Sequence, residues 1–432
     1  MTRRARRAWS AWIVVAMAVG ALLVAPARAG AATAPSGHQV AVAPAPQRID
    51  PGGLRRLLDQ VVAAGAPGAA ALVRGEHGVQ QAASGLADLR TRRPMRPGLT
   101  YRAGSVTKPL VATVVLQLVA EGRLSLSDTV EHWLPGILPY GDQVSIRQLL
   151  NHTSGVPEYL LVPLLELYES RQGRFRSWAP RELVALVADQ PPLFPPGATY
   201  SYSNTNYVLA GLIVETATGR TLRQELTGRI IRPLRLRDTF FPINRPTIPG
   251  RNTRGYSLPL SEQGPVLDGP LLDFTVYNPS LAWAAGNLVS DLGDLARFFR
   301  ALLGGRLLPP RLLAEMTTTV PIGQGAGYGL GLLVLDTPCG RLIGHDGGIP
   351  GFITIVLSTQ DGRRQLGVMV NQFFTTPAVD QAYSQVVVEI AMRLLEGGPC
   401  GPASSSASLD AAVRAGELAR TQQTLARARA AA

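Results

Sequence analysis

The chain has 432 residues, 46% of them hydrophobic and 17% charged, enough to bury a sizeable core and too apolar for a disordered one. Its formal net charge is +12; residues 1–29 supply five arginines and no acid, which leaves +7 on the remainder. A surplus so modest and scattered, with no nucleic-acid-binding motif beside it, excludes a nucleic-acid partner. It leaves attraction to an anionic cell-wall or membrane surface, or plain solubility, as its use.

Residues 1–29 read as an export signal. Arg3, Arg4, Arg6 and Arg7 precede an apolar run over 11–25, Pro26 closes it, and Ala27-Arg28-Ala29 fits a small-x-small cleavage site. The run is shorter than the roughly 20 apolar residues of a spanning helix. A secreted, extracytoplasmic protein is therefore expected. Residues 30–50, rich in Ala and Pro, read as a linker. Residues 51–400 form the main domain.

Within that domain, 68–75 and 78–88 predict two strands joined by a tight turn. Residues 105–121 predict a mostly apolar helix with Ser105 at its start and Pro109 near its first turn, where a missing N–H does least harm. Helical stretches near 125–134, 145–152, 180–189 and 205–218 make 125–270 a mainly helical subdomain. A helix over 290–303 gives way to strands at 328–336, 341–345, 351–358 and 364–370, and a last helix spans 377–396. Strands at both ends with helices between predict one sheet, assembled from N- and C-terminal pieces around a helical insertion. Residues 401–432 read as a flexible Ala/Arg-rich tail.

Cys339 and Cys400 are the two cysteines, and in an exported chain they can pair as one disulfide. The histidines are dispersed with no H-x-x-x-H spacing, so no metal site is expected. The glycines of GQGAGYGLG do not form a G-x-G-x-x-G, so no dinucleotide cofactor is expected either.

Three short segments carry chemistry. Lys108 is the only lysine in the chain and stands three residues after Ser105. Arginine serves wherever a simple positive charge is needed, so a lone lysine points to work arginine cannot do, such as giving up a proton. On a helix, i and i+3 share a face, which brings Lys108 Nζ to Ser105 Oγ, and the helix start offers the Ser105 N–H to an oxyanion. In TYSYSNTNY, Tyr202 as phenolate can accept the serine proton, and Asn204 can hold a substrate amide. In LIGHDGGIPGF, His345 and Asp346 are followed by Gly347 and Gly348, which let backbone approach a ligand closely. His152, in NHTSG, reads as a residue that orders a loop.

Together, in this order, these segments resemble the penicillin-recognising serine hydrolases: D-alanyl-D-alanine carboxypeptidases, class C β-lactamases and related esterases. Ser-x-x-Lys, Tyr-x-Asn and Lys/His-x-Gly are matched by Ser105/Lys108, Tyr202/Asn204 and His345/Gly347. TYRAGSVTKP, LLNHTSGVPEY, AAGNLVSDLGDLARFF and GYGLGL extend the likeness over about residues 55–398. The resemblance implies an α/β (α+β) fold in which an antiparallel sheet flanked by helices sits beside an all-helical domain. It implies an acyl-enzyme on Ser105, with Lys108 and Tyr202 sharing general-base and general-acid work in either order. The oxyanion hole would be Ser105 N–H and Gly348 N–H, with Asn204, His345, Asp346 and Gly347 against the substrate. It also implies a Cys339–Cys400 bridge. Expected substrates are D-Ala-terminated peptides, β-lactams or esters.

Two departures stand out. Carboxypeptidases of this branch typically carry Thr in the middle of the third motif, where its hydroxyl meets the substrate carboxylate; here it is Asp346. They can also carry an Arg after the GYGLGL segment to clamp that carboxylate; here it is Leu333, with Arg341 and Arg254 as conceivable substitutes. A second carboxylate about 4 Å from Asp346 costs roughly 4 kcal/mol at an effective dielectric near 20, nearly a thousandfold in affinity, so either Asp346 points away or is protonated, or the substrate lacks a free carboxylate there. D-alanyl-D-alanine carboxypeptidase is the leading expectation by resemblance. An esterase or D-amino-acid amidase is the alternative that the departures favour. A non-catalytic wall- or β-lactam-binding protein is the third.

Overall fold

The computed structural model describes residues 51–395, except 76–77, 262–263, 324 and 338. The export signal, the linker, the tail and Cys400, and so the Cys339–Cys400 pairing, lie outside the described residues. Cys339 itself is buried.

A nine-stranded antiparallel sheet organises the described chain. Its strands are β1 (Gly68–Gly75), β2 (Gly78–Asp88), β3 (Arg93–Pro94), β4 (Val320–Gly323), β5 (Ala326–Tyr328), β6 (Leu333–Thr337), β7 (Gly340–Ile349), β8 (Phe352–Thr359) and β9 (Gln365–Val370). They run in the order β4-β5-β6-β7-β8-β9-β1-β2-β3. The N-terminal hairpin closes on the last strand, from Ala69 opposite Val370 to Arg74 opposite Gln365. This is the sheet of N- and C-terminal pieces that the strand pattern predicts.

Period-two alternation divides the sheet between two cores. On β1, Ala70 and Leu72 face the larger core, while Ala69, Ala71 and Val73 face the smaller one. The smaller core is closed by α1 (Pro51–Ala63) and by the terminal helix at Pro377–Leu395. The first of these helices was not expected from sequence, although Leu54, Leu58 and Val61 form an i, i+4, i+7 stripe that is now buried. The larger core surrounds α2 (Thr107–Ala120), whose residues are apolar nearly all round and almost all buried. Also on this side lie α3 (Ile146–Leu150), α4 (Leu161–Glu169), α5 (Asn204–Thr218) and α6 (Leu292–Leu303); the terminal helix is α7.

The single strand expected over 328–336 is two strands, β5 and β6. The chain breaks between them because Gly331 takes φ +82° and turns inward, where its N–H reaches Leu150 O at 3.1 Å. A Cβ there would stand 2.7 Å from Ala112 Cβ, so only glycine fits against α2.

Candidate active site

Ser105 lies in a single 3₁₀ turn, Gly104–Val106, that runs straight into α2. Thr107 Oγ1 donates to Gly104 O at 2.7 Å and accepts from Leu288 N at 3.0 Å, which clamps the turn from both sides. Pro109 falls in the first turn of α2, as its missing N–H requires. The glycines of the third motif have their first use here. A Cβ on Gly347 would come within 2.1 Å of Ala103 O, and one on Gly104 within 2.9 Å of Gly348 O. Side chains at these positions would push the Gly104–Val106 turn off β7, so a close backbone approach is made here to the protein's own chain.

Lys108 is completely buried. Its Nζ donates to Ser105 Oγ at 2.9 Å, Asn204 Oδ1 at 2.8 Å and Ala285 O at 2.7 Å. Three acceptors match the three N–H groups of an ammonium. The same nitrogen lies 4.8 Å from the centre of the Tyr202 ring, a cation–π distance. Tyr202 OH reaches Ser105 Oγ at 3.0 Å, so lysine and phenol converge on one oxygen.

Asn204 opens α5, and its orientation is set from behind by Glu158. Glu158 Oε2 accepts from Asn204 N and Nδ2, both at 2.8 Å, while Oε1 accepts from Leu160 N at 2.8 Å. With Nδ2 on the carboxylate, Oδ1 must face Lys108. Burial of the Glu158 carboxyl pushes its pKa above the ordinary value, against the pull of the Asn204 and Leu160 hydrogen bonds and the Lys108 charge. Sequence reasoning missed Glu158; its only signal was its place in the LLNHTSGVPEY segment. His152 is buried, its Nδ1 accepts from Ser203 N at 3.2 Å, and its ring stacks 4.2 Å from that of Tyr202. It holds the loop that presents Tyr202.

His345 requires a correction. Its ring is fully buried and adds no surface to the cleft above Ser105. Nε2 pairs with Tyr328 OH at 2.7 Å and Nδ1 with Asp346 O at 2.5 Å. The ring braces β7 against Tyr328, so it meets a substrate only through the backbone it holds. Asp346, Gly347 and Gly348 do line the cleft, with Ser105, Tyr202 and Asn204. Asp346 Oδ1 stands 3.4 Å from His345 Nδ1, and the side chain keeps 9% exposure. Leu333 is buried in the smaller core. Arg341 pairs with Asp336 at 2.7 Å, and Arg254 with Asp88 at 3.1 Å and Asp273 at 2.6 Å. Neither arginine lines the cleft. Much of its wall is apolar: Leu160, Leu161, Leu164, Leu281, Ile349 and Phe373. Among the described residues no cluster of three or more His, Cys, Asp or Glu forms a candidate metal site.

A family model described as Beta-lactamase matches residues 54–389. Penicillin-binding protein 4* of Bacillus subtilis (strain 168) is 28% identical over 325 residues, which cover 73% of this chain and 69% of that protein. Esterase EstB of Burkholderia gladioli is 33% identical over 305 residues, 63% of this chain and 76% of that protein. Among solved structures, a D-stereospecific amidohydrolase from Streptomyces sp. superposes with a TM-score of 0.71 at 37% identity, covering 82% of this chain and all of that one.

Proposed function

The chain belongs to the Beta-lactamase family of penicillin-recognising serine hydrolases, and on that premise we propose that it is a serine acyl hydrolase for esters or amides without a free carboxylate beside the scissile bond. One observation carries the reading. Lys108 Nζ and Tyr202 OH meet at Ser105 Oγ, on the floor of a cleft that offers a carboxylate no cation and one opposing charge, Asp346.

With three acceptors around it, Lys108 stays an ammonium. Tyr202, in its phenolate form, takes the Ser105 proton as Oγ attacks the carbonyl carbon. The new C–O bond places negative charge on the carbonyl oxygen, which Ser105 N–H and Gly348 N–H receive. The bond to the leaving group breaks as Tyr202 returns the proton to the departing oxygen or nitrogen. Water then attacks the acyl-enzyme, Tyr202 takes its proton, and the acid leaves as that proton passes back to Ser105. Asn204 holds the acyl portion. Residues 1–29 are the basis for placing this reaction outside the cytoplasm.

The test compares p-nitrophenyl butyrate with diacetyl-Lys-D-Ala-D-Ala. Efficient ester turnover that vanishes in Ser105→Ala, with D-alanine release at least about a hundredfold weaker, is expected from the carboxylate repulsion. D-alanine release as efficient as ester turnover would overturn the proposal in favour of a carboxypeptidase.

A further inference from the structure

We propose that Asp346 reads a positive charge on the group that departs. The preferred substrate is then an apolar acyl ester or amide whose leaving alcohol or amine carries an ammonium two or three bonds from the leaving atom. This rests on the acyl-hydrolase reading above and names its substrate class.

Among the described residues that line the cleft, Asp346 is the one aspartate, and no glutamate, lysine or arginine joins it. The two arginines that could reverse its effect are tied to Asp336, Asp88 and Asp273 elsewhere. The Lys108 ammonium lies beneath the floor with its three donors spent on Ser105, Asn204 and Ala285, and Glu158 stands behind Asn204. Asp346 is therefore the acid that a group bound in the cleft meets, and a carboxylate repels anions and attracts cations.

Position adds to sign. Asp346 precedes Gly348 by two residues on β7, so their Cα atoms are separated by roughly 6.6 Å along the strand. With the carbonyl oxygen at Gly348 N–H, a group two or three bonds from the leaving atom comes within reach of an aspartate carboxylate. The side chain is mostly enclosed, with Oδ1 3.4 Å from His345 Nδ1, so salt screens it less than a surface acid. The apolar wall of Leu160, Leu161, Leu164, Leu281, Ile349 and Phe373 suits the uncharged acyl part.

The full chain should be assayed with three butyrate esters of similar size: butyrylcholine, its uncharged isostere 3,3-dimethylbutyl butyrate, and anionic 3-butyryloxypropanoate. The expected order of kcat/KM is cation, neutral, anion, with about 30-fold between the first two. In Asp346→Asn that ratio should fall to within about threefold of one. Equal use of the cationic and neutral esters by the unaltered protein would overturn the inference and leave the hydrolase reading intact. A preference that survives Asp346→Asn would also overturn it, since the charge would then be read elsewhere. Should Asp346→Asn fail to fold, the three-ester order in the unaltered protein decides the matter. Failure to hydrolyse any of the three, with no Ser105 adduct from a fluorophosphonate probe, would overturn the hydrolase reading and this inference with it.

Discussion

The floor of the cleft and its β7 rim are built on opposite principles. On the floor, Ser105, Lys108, Tyr202, Asn204 and Glu158 form a network in which Lys108 donates to Ser105, Asn204 and Ala285 and the Asn204 amide donates to Glu158. The rim is backbone and glycine, braced by a buried histidine, with one carboxylate at the mouth. In the proposed reaction the floor makes and breaks bonds, which tolerates little change, while the rim selects the substrate, which one side chain can redirect. The same family can thus include a penicillin-binding protein, an esterase and an amidohydrolase among the relatives of one chain.

The sharpest way to break this contrast is on the floor. Lys108→Arg should lower kcat for p-nitrophenyl butyrate by about a thousandfold or more, because a planar guanidinium cannot serve Ser105, Asn204 and Ala285 from one nitrogen. Retention of more than a tenth of the activity would remove Lys108 from the chemistry. Next, Gly347→Ala should destabilise the fold by about 3 kcal/mol, since its methyl must displace the Ala103 carbonyl. Thermal unfolding measures this, and an unchanged midpoint would show that the rim does not seat the nucleophile turn.

Glu158 joins the two regions through pH. Its carboxyl is raised by burial, so the folded state holds that proton more firmly than the unfolded chain does. As pH rises through the window above the ordinary carboxylate value, the group contributes progressively less stability, while the ionised form is the one that orients Asn204. The acid limb of kcat should therefore sit above the ordinary carboxylate range. Glu158→Gln should lower kcat by about 10- to 100-fold and remove that limb, because Gln does not titrate and offers one acceptor oxygen where Asn204 and Leu160 use two. An identical acid limb in this variant would assign it to another group. The smallest effect is expected at Tyr328→Phe, which takes a partner from His345 and should cost about 1 kcal/mol of stability with kcat changed less than about threefold. A collapse of kcat there would move His345 from brace to participant.

What was legible in the sequence was local or periodic. The neighbouring strands β1 and β2 were readable because hairpin pairing acts within a few residues. The Ser105–Lys108 pairing was readable because one helical turn spans three residues. Gly347 was legible as a point of close approach, which was read as approach to a ligand; it also lies against the Ala103 carbonyl, while lining the cleft.

The sequence by itself determined the α+β class, the contact of Ser105 with Lys108 one helical turn on, and the acid at position 346, since each rests on residue chemistry or short-range geometry. Tertiary structure alone decided that Glu158 stands behind Asn204, 46 residues away, and that Ala285 O completes the Lys108 shell from 177 residues away. It also decided that His345 faces Tyr328 rather than the cleft. The physical reason is the same in each case. A buried donor or acceptor must be satisfied, but which distant segment satisfies it depends on how helices and sheet pack, and no local pattern encodes that choice.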